Sequence, residues 1–599
     1  MTKTASLPHW DMSVVYPGLD SPEFARDFAE LLAEIDGAVG LFDRAGVDKR
    51  APGTLDDAAV ATFEQVVDAL NRLFDRATTL RAYIFSFVAT DSRDTLAQAR
   101  LSEFQGGAVK LAQLETRLIA WIGSLDVEEL LERSAAAPAY EFVLRQAQRQ
   151  AAHLMSPPEE ALAAELNVTG GNAWSRMYNN VASQLLVPVE LPGGARELPM
   201  SAVRNLAYEP DETTRRAAYE AELASWRRAA VPIAAALNGV KGEVITLGRR
   251  RGWDSPLDES LFHNNIDRAT LDAMMLAARE SFPDFRRYLR AKARMLGKPR
   301  LPWYDLFAPV GRSTRAWSYD AAREFIVTQF GSYSQRMSDF AERAFRESWI
   351  DAEPRPGKRD GAFCMPLRGD QSRILSNYQP GFKSVLTLAH ELGHGYHNLN
   401  LAHQPGLNRG HPMTLAETAS IFCETIVRNA VLRVADAAEQ IEVLEGALVN
   451  ACQIVVDITS RFLFEQSVFE GRRARELSVD ELCAAMERAQ RDTYGDGLDE
   501  RALHPYMWAA KGHYYSTGLS FYNYPYMFGL LFGLGLYARY QQDPAGFKAG
   551  YDDLLASTGL ADAATLAGRM GIDIRSPDFW RASLDTIRAD VDRFEKLAL

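Results

Sequence analysis

A mainly α-helical fold is what this 599-residue sequence predicts. Apolar residues recur every three or four positions over long stretches, Pro- and Gly-rich segments separate those stretches, and only one short segment departs from the helical pattern. The pattern first shows from Phe24 to Ile35. It is clearest where Leu101, Phe104, Ala108, Leu111, Leu114, Leu118 and Trp121 line one face with polar residues between them. "VPVELPGGARELP" (Val187 to Pro199) then breaks it, and the main boundary is expected here, giving an N-terminal helical domain over 1–195 and a second domain over 196–599. Helical spacing resumes from Ala217 to Leu247 and again from Ala435 to Phe464, with further breaks at Gly297 to Gly311, Glu353 to Gly361 and His403 to Met413.

The exception is "GAFCMPLRGDQSRILSNY" (Gly361 to Tyr378), two short runs around Arg-Gly-Asp that read as a β-hairpin. Pro366 lacks an N–H and confines its strand to a sheet edge, where an extended peptide could pair with it.

Composition narrows the partners. At 47% hydrophobic and 24% charged residues the chain is ordinary for a soluble globular protein. A formal charge of -13 and a pI near 5.4 argue against nucleic acid, which needs concentrated positive charge. The runs "GRRRG" (Gly248 to Gly252) and "GRRAR" (Gly471 to Arg475) read as cations at helix C-termini. Four cysteines without a CxxC pair suit a reducing compartment, and the first twenty residues lack the apolar core of a signal peptide, so cytoplasmic residence is expected. The uncharged stretch Tyr514 to Ala538 is long enough to span a bilayer. Its first half is rich in Tyr, Ser, Asn, Gly and Pro, and its apolar part, Tyr526 to Leu536, has the length of a buried core helix, so no membrane partner is expected.

Seven of the ten histidines lie between His390 and His513. Three of them stand in "TLAHELGHGYHNLN", which contains His390, Glu391 and His394 as H-E-x-x-H. On a helix, residues four apart stand one above the other, so both imidazoles can reach one zinc ion while Glu391 points to the open coordination position. His397 shares that face but lies about 10 Å from His390 along the axis, too far to converge on the same ion. The third ligand must come from elsewhere. The run "TLAETASIFCETIVRNAVL" is apolar and small except for Glu417 and Glu424, and a carboxylate there is costly unless paired or bound to metal. Glu417 is therefore the expected third ligand. Glu424 is read either as a carboxylate orienting a ligand imidazole or as the partner of Arg428, and His403 and His411 stay open as rival ligands.

"HELGHGYH", followed 23 residues after His394 by "ETASIFCE", resembles the thimet-oligopeptidase-like metallopeptidases, in particular the oligoendopeptidase F branch. "GKRDGAFC" with "ILSNY" upstream and "FYNYPYMFG" downstream are similar to that branch as well. The resemblance implies a large, two-lobed helical body with a deep substrate channel, one zinc ion, a small hairpin beside the active site, and endopeptidase action on short peptides. It assigns His390, His394 and Glu417 to the metal and Glu391 to the base. It assigns His513 and the tyrosines of "FYNYPY" to the substrate and its oxyanion. Pro525 and Gly518 keep the stretch before Tyr524 irregular, so Tyr524 and Tyr522 stand foremost where a loop turns into a core helix, Tyr514 and Tyr515 come next, and Tyr526 is expected to pack. His504 is a rival for the histidine role. The other readings are a helical zinc carboxypeptidase and a peptide-binding scaffold that keeps the metal without activity. Oligomeric state is not legible in the sequence.

Overall fold

The computed structural model describes residues 7–51, 53, 55–311 and 315–598. They are mainly α-helical, as expected, with five short strands: β1 (Leu186–Leu191), β2 (Gly194–Pro199), β3 (Ile350–Asp351), β4 (Phe363–Arg368) and β5 (Gln371–Leu375). The chain divides into two compact units, each drawn from three stretches. The first comprises Met1–Leu154, Arg315–Arg433 and Tyr540–Met570; the second comprises Met155–Thr314, Val434–Arg539 and Gly571–Leu599. Position 195, the expected domain boundary, falls within a stretch of the second unit.

The first unit is built on the helices Pro22–Ala45, Asp57–Thr90 and Thr95–Ile122. Ser21, Asp56 and Asp94 cap them by accepting a backbone N–H of the first turn, and Gly46 closes the first helix in the left-handed conformation. The apolar stripe Phe24, Phe28, Leu31, Ile35 and Phe42 is buried. Phe104, Leu111, Leu114, Leu118 and Trp121 of the third helix are buried in the same core. Each such side chain contributes about 1.5–3 kcal/mol on burial, and Phe24→Ala would cost about 3–5 kcal/mol.

The hairpin expected between Gly361 and Tyr378 is β4–β5, antiparallel, turning at Gly369 with φ +53°. Strand order is β3-β5-β4, which puts β4, with Pro366, at the edge where a residue without an N–H costs no ladder bond.

The second unit centres on the 39-residue helix Glu212–Arg250, whose Trp226, Ile233, Leu237 and Val240 are buried. By length and apolar composition alone this helix could cross a membrane, and half of its apolar window is buried in the fold. Both arginine runs fall at helix C-termini, after Arg250 and Arg472, as the sequence suggests. Tyr524–Gln542 is a helix with Met527 to Tyr537 buried, so the long uncharged stretch is core here.

Two features go beyond the expectations. Val187 to Pro199 interrupts the helices as expected, and does so as a hairpin: β1 and β2 pair in register from Leu186↔Pro199 to Leu191↔Gly194 across the two-residue loop Pro192-Gly193. Gly194, at φ +103°, supplies the backbone that other residues reach at a cost, and the same Pro and Gly that read as a breaker form the turn. The helical run Ala435 to Phe464 is interrupted by a π-helical turn at Gln453–Asp457 between helices Ala437–Cys452 and Ile458–Arg472.

Candidate active site

His390, Glu391 and His394 lie on the helix Phe382–Leu401, whose Val385, Leu388, Ala389, Leu392 and Tyr396 are buried. The two imidazoles are one turn apart, ring centroids 4.9 Å from each other and planes at 80°. Glu417 comes from the next segment. It does not sit inside a helix but at the junction of Met413–Ala416 and Thr418–Val434, where its φ and ψ of -89° and 5° turn the chain. One close approach joins the motif helix to this segment, and one hydrogen bond within the segment steadies the carboxylate. Gly393 faces the backbone of Ala419 and Ser420, and the Ser420 hydroxyl donates to Glu417 Oε2 at 2.7 Å.

Glu417 Oε2 lies 3.2 Å from His390 Nε2 and 3.4 Å from His394 Nε2. Ligand atoms arranged tetrahedrally at about 2.1 Å from a zinc ion stand about 3.4 Å apart, so this donor set fits a small divalent cation. Among the described residues, His390, His394 and Glu417 form the group of three whose ligand atoms lie within 4.8 Å of one another. Their side chains are 23–24% exposed, so the donor group is open to solvent. Glu424 Oε2 is 3.1 Å from His390 Nδ1, so it holds the far nitrogen of that ring and leaves Nε2 facing Glu417.

The electrostatics follow from burial and from these contacts. Burial lifts Glu391 to about 7, although the His390 charge opposes it, so near neutrality this carboxylate can accept and return a proton. Burial also works against charge on Glu417, but the His390 hydrogen bond and His394 outweigh it and hold the carboxyl down at about 2. His394 is pulled down to about 4 by burial and stays neutral, with a lone pair for a cation.

The other histidines are engaged elsewhere. His397 is buried with Nε2 2.9 Å from Thr558 Oγ1. His411 stacks on it at 4.7 Å, with Nδ1 3.2 Å from the Arg409 carbonyl, and His403 is exposed beside Gln404. The β-sheet borders the motif helix: Asn398 donates to Ser372 Oγ at 3.1 Å, and a Cβ at Gly395 would lie 3.8 Å from Cys364 Sγ.

The second unit holds the remaining candidates. His513 and Tyr522 stack at 5.0 Å with planes at 23°, and the Tyr522 and Tyr526 hydroxyls are 2.7 Å apart. Burial, and then the charges of Arg461 and Lys511, lower His513 to about 4, so it is a neutral imidazole at pH 7. Tyr524 is 1% exposed, with its hydroxyl accepting from Ser260 Oγ at 3.4 Å. Tyr515 is stacked on Tyr178 at 3.7 Å, and Tyr514 is buried against Phe464. His504 is buried 3.3 Å from Glu222. Sequence reading overlooked Lys511, whose ammonium burial lowers to about 7, and Arg461, paired with Asp457 just past the π-helical turn. A lysine and an arginine 50 residues apart carry no pattern; only packing brings their charges to His513.

Comparison with known proteins places the chain in a family. Residues 122–185 match the family profile described as Oligopeptidase F. An oligoendopeptidase F homolog of Lactococcus lactis subsp. lactis (strain IL1403) is 22% identical over 603 residues, covering 98% of this chain and 97% of that protein. Oligopeptidase PepF of Bacillus subtilis (strain 168) is 20% identical, covering 91% and 82%. In fold, the chain superposes on oligoendopeptidase-F from Enterococcus faecium with a TM-score of 0.70 at 17% identity, covering 96% and 98% of the two chains. Residues 205–586, well over half of the sequence and including every candidate site residue named above except Tyr178, match the profile of Peptidase family M3, and the chain belongs to that family.

Proposed function

We propose that this protein is a zinc-dependent endopeptidase that hydrolyses internal bonds of short peptides. The observation that carries the reading is the His390–His394–Glu417 donor set at tetrahedral spacing, with the buried carboxylate Glu391 on the same helix. The three residues would hold one zinc ion, which when bound supplies Lewis acidity, polarising a carbonyl oxygen and acidifying a water. Glu391 takes the proton of the attacking water and delivers it to the leaving amine, a task for which a carboxyl near 7 is suited. Glu424 keeps the His390 ring in one orientation by its contact at Nδ1. The resemblance assigns His513 and the phenols of Tyr522 and Tyr524 to the oxyanion; Tyr524 is buried and Tyr522 is the more open, so Tyr522 and the neutral imidazole of His513 are the donors proposed here. The family and the relatives named for oligopeptides support short peptides as substrates. Four free cysteines support a cytoplasmic setting, and the charge of -13 speaks against nucleic acid.

The test is Glu391→Gln with an internally quenched peptide blocked at both ends. Zinc content is expected to persist while turnover falls by about two orders of magnitude or more. Near-normal hydrolysis by the variant would remove Glu391 from the chemistry. A parent enzyme that spares the blocked peptide but trims one with a free C-terminus would be a carboxypeptidase.

A further inference from the structure

Phe521 has a φ of +54°. A bulky side chain rarely adopts this conformation, because its Cβ crowds the neighbouring carbonyl. Among the described residues only Asn265 and Ser348 share it without being glycine, and both are small and polar. Such strain persists where the surrounding packing over-determines it.

The aromatic part of that packing comes from one helix, Ile458–Arg472. Phe462 and Phe469, seven residues apart on one face, meet the Phe521 ring at centroid distances of 5.1 and 5.5 Å, and Phe521 is 4% exposed. The same helix reaches the following residues: Arg461 Nη1 is 3.4 Å from Asn523 Oδ1, and Phe462 stands edge-on to Tyr524 at 6.4 Å. Residues 521, 523 and 524 are therefore all held by it, and Tyr522, between them, stacks instead on His513.

The geometry points to Phe521 as a positioning residue: its ring, seated against Phe462 and Phe469, holds a left-handed turn that presents Tyr522 to His513. Rotation about φ at residue 521 swings everything that follows it, so an ordinary negative φ would carry the Tyr522 ring away from the imidazole. The inference rests on the role proposed above for Tyr522, and it explains why a large aromatic residue occupies a place that glycine would fill without strain.

Phe521→Gly keeps the backbone conformation accessible and removes the anchor. Displacing a group by about 1 Å costs about 100-fold, so kcat on the doubly blocked peptide is expected to fall by that order. KM should stay within about twofold, because substrate binding is not what is lost. Zinc content should be unchanged. In a Tyr522→Phe background the same change should add nothing, since the hydroxyl being positioned is already gone. A readout without turnover accompanies this. Tyr522→3-fluorotyrosine should give one sharp fluorine resonance with Phe521 present and a broadened or multiple signal with Phe521→Gly.

An undiminished kcat loss in the Tyr522→Phe background, or a single unshifted fluorine resonance, overturns the inference. Full activity of Tyr522→Phe alone would sink the role of Tyr522 itself, and is a different result from either. Should Phe521→Gly fail to fold, Phe521→Leu retains an apolar anchor and is read in the same cycle and by the same resonance, with a smaller loss expected.

Discussion

Gly393→Ala adds a single methyl group between the two segments that carry the candidate ligands. A Cβ at Gly393 would lie 2.5 Å from Ser420 Cα and 2.7 Å from the Ala419 carbonyl oxygen, whereas ordinary contact begins at 3.4 Å. Those atoms are backbone and cannot rotate aside, so the segments must part by about 0.9 Å. Glu417 is two residues from Ala419 and moves with it, while His394 is the very next residue on the other side. Coordination distances tolerate only about 0.2 Å, so the carboxylate can no longer meet both imidazoles at ligand spacing. Disturbing the support of metal ligands typically weakens binding about 10–100-fold, and that is the expected effect. For stability, overpacking costs about 1–3 kcal/mol, while alanine's helix propensity returns about 1 kcal/mol. A net loss of up to about 2 kcal/mol follows. Zinc affinity by chelator competition, thermal unfolding of the zinc-free protein and peptide hydrolysis read the three effects separately. A variant that binds zinc and unfolds like its parent would refute the claim that this helix contact sets the ligand geometry.

Glu417→Ala should lose stoichiometric zinc by elemental analysis while remaining folded; a fully metallated variant would return the third-ligand role to His403 or His411. His513 has a folded pKa near 4, below the ordinary value of about 6.5, so the unfolded chain binds the extra proton first as pH falls. Stability is therefore expected to decline from about pH 6.5 toward pH 4, and His513→Gln should flatten that part of the pH profile in denaturant titrations; an unchanged slope would contradict it. Lys241 and Glu465 form a buried pair at 2.6 Å, so Lys241→Met should cost about 3–5 kcal/mol by stranding the carboxylate, and adding Glu465→Leu should recover much of it. Equal destabilisation by the single and double variants would show that packing, not the stranded charge, sets the cost.

The features legible in the sequence are those governed by short-range periodicity. His390 and His394 are one turn apart because any helix makes them so, and Glu391 follows from the same spacing. Pro366 could be assigned to a sheet edge because a missing N–H is a property of one residue. Gly361 to Tyr378 announced its hairpin through the turn chemistry of Gly369.

Long-range packing decided the rest. Glu417 and Glu424 stand out in the sequence as costly carboxylates, but only the fold brings one to the Nε2 atoms of His390 and His394 and the other to His390 Nδ1. The tyrosines of "FYNYPY" look alike in sequence; in three dimensions Tyr524 is buried beside Ser260, while Tyr522 lies against His513. Phe521 gives no local sign of its left-handed backbone, because the force that holds it comes from Phe462 and Phe469, more than fifty residues earlier. Sequence by itself thus determined the helical class and the pair of imidazoles with their neighbouring base, since those depend on spacing along one element. Tertiary structure alone decided which carboxylate meets the imidazoles, and which phenol and which strained turn lie beside His513, since convergence of separate elements is set by packing.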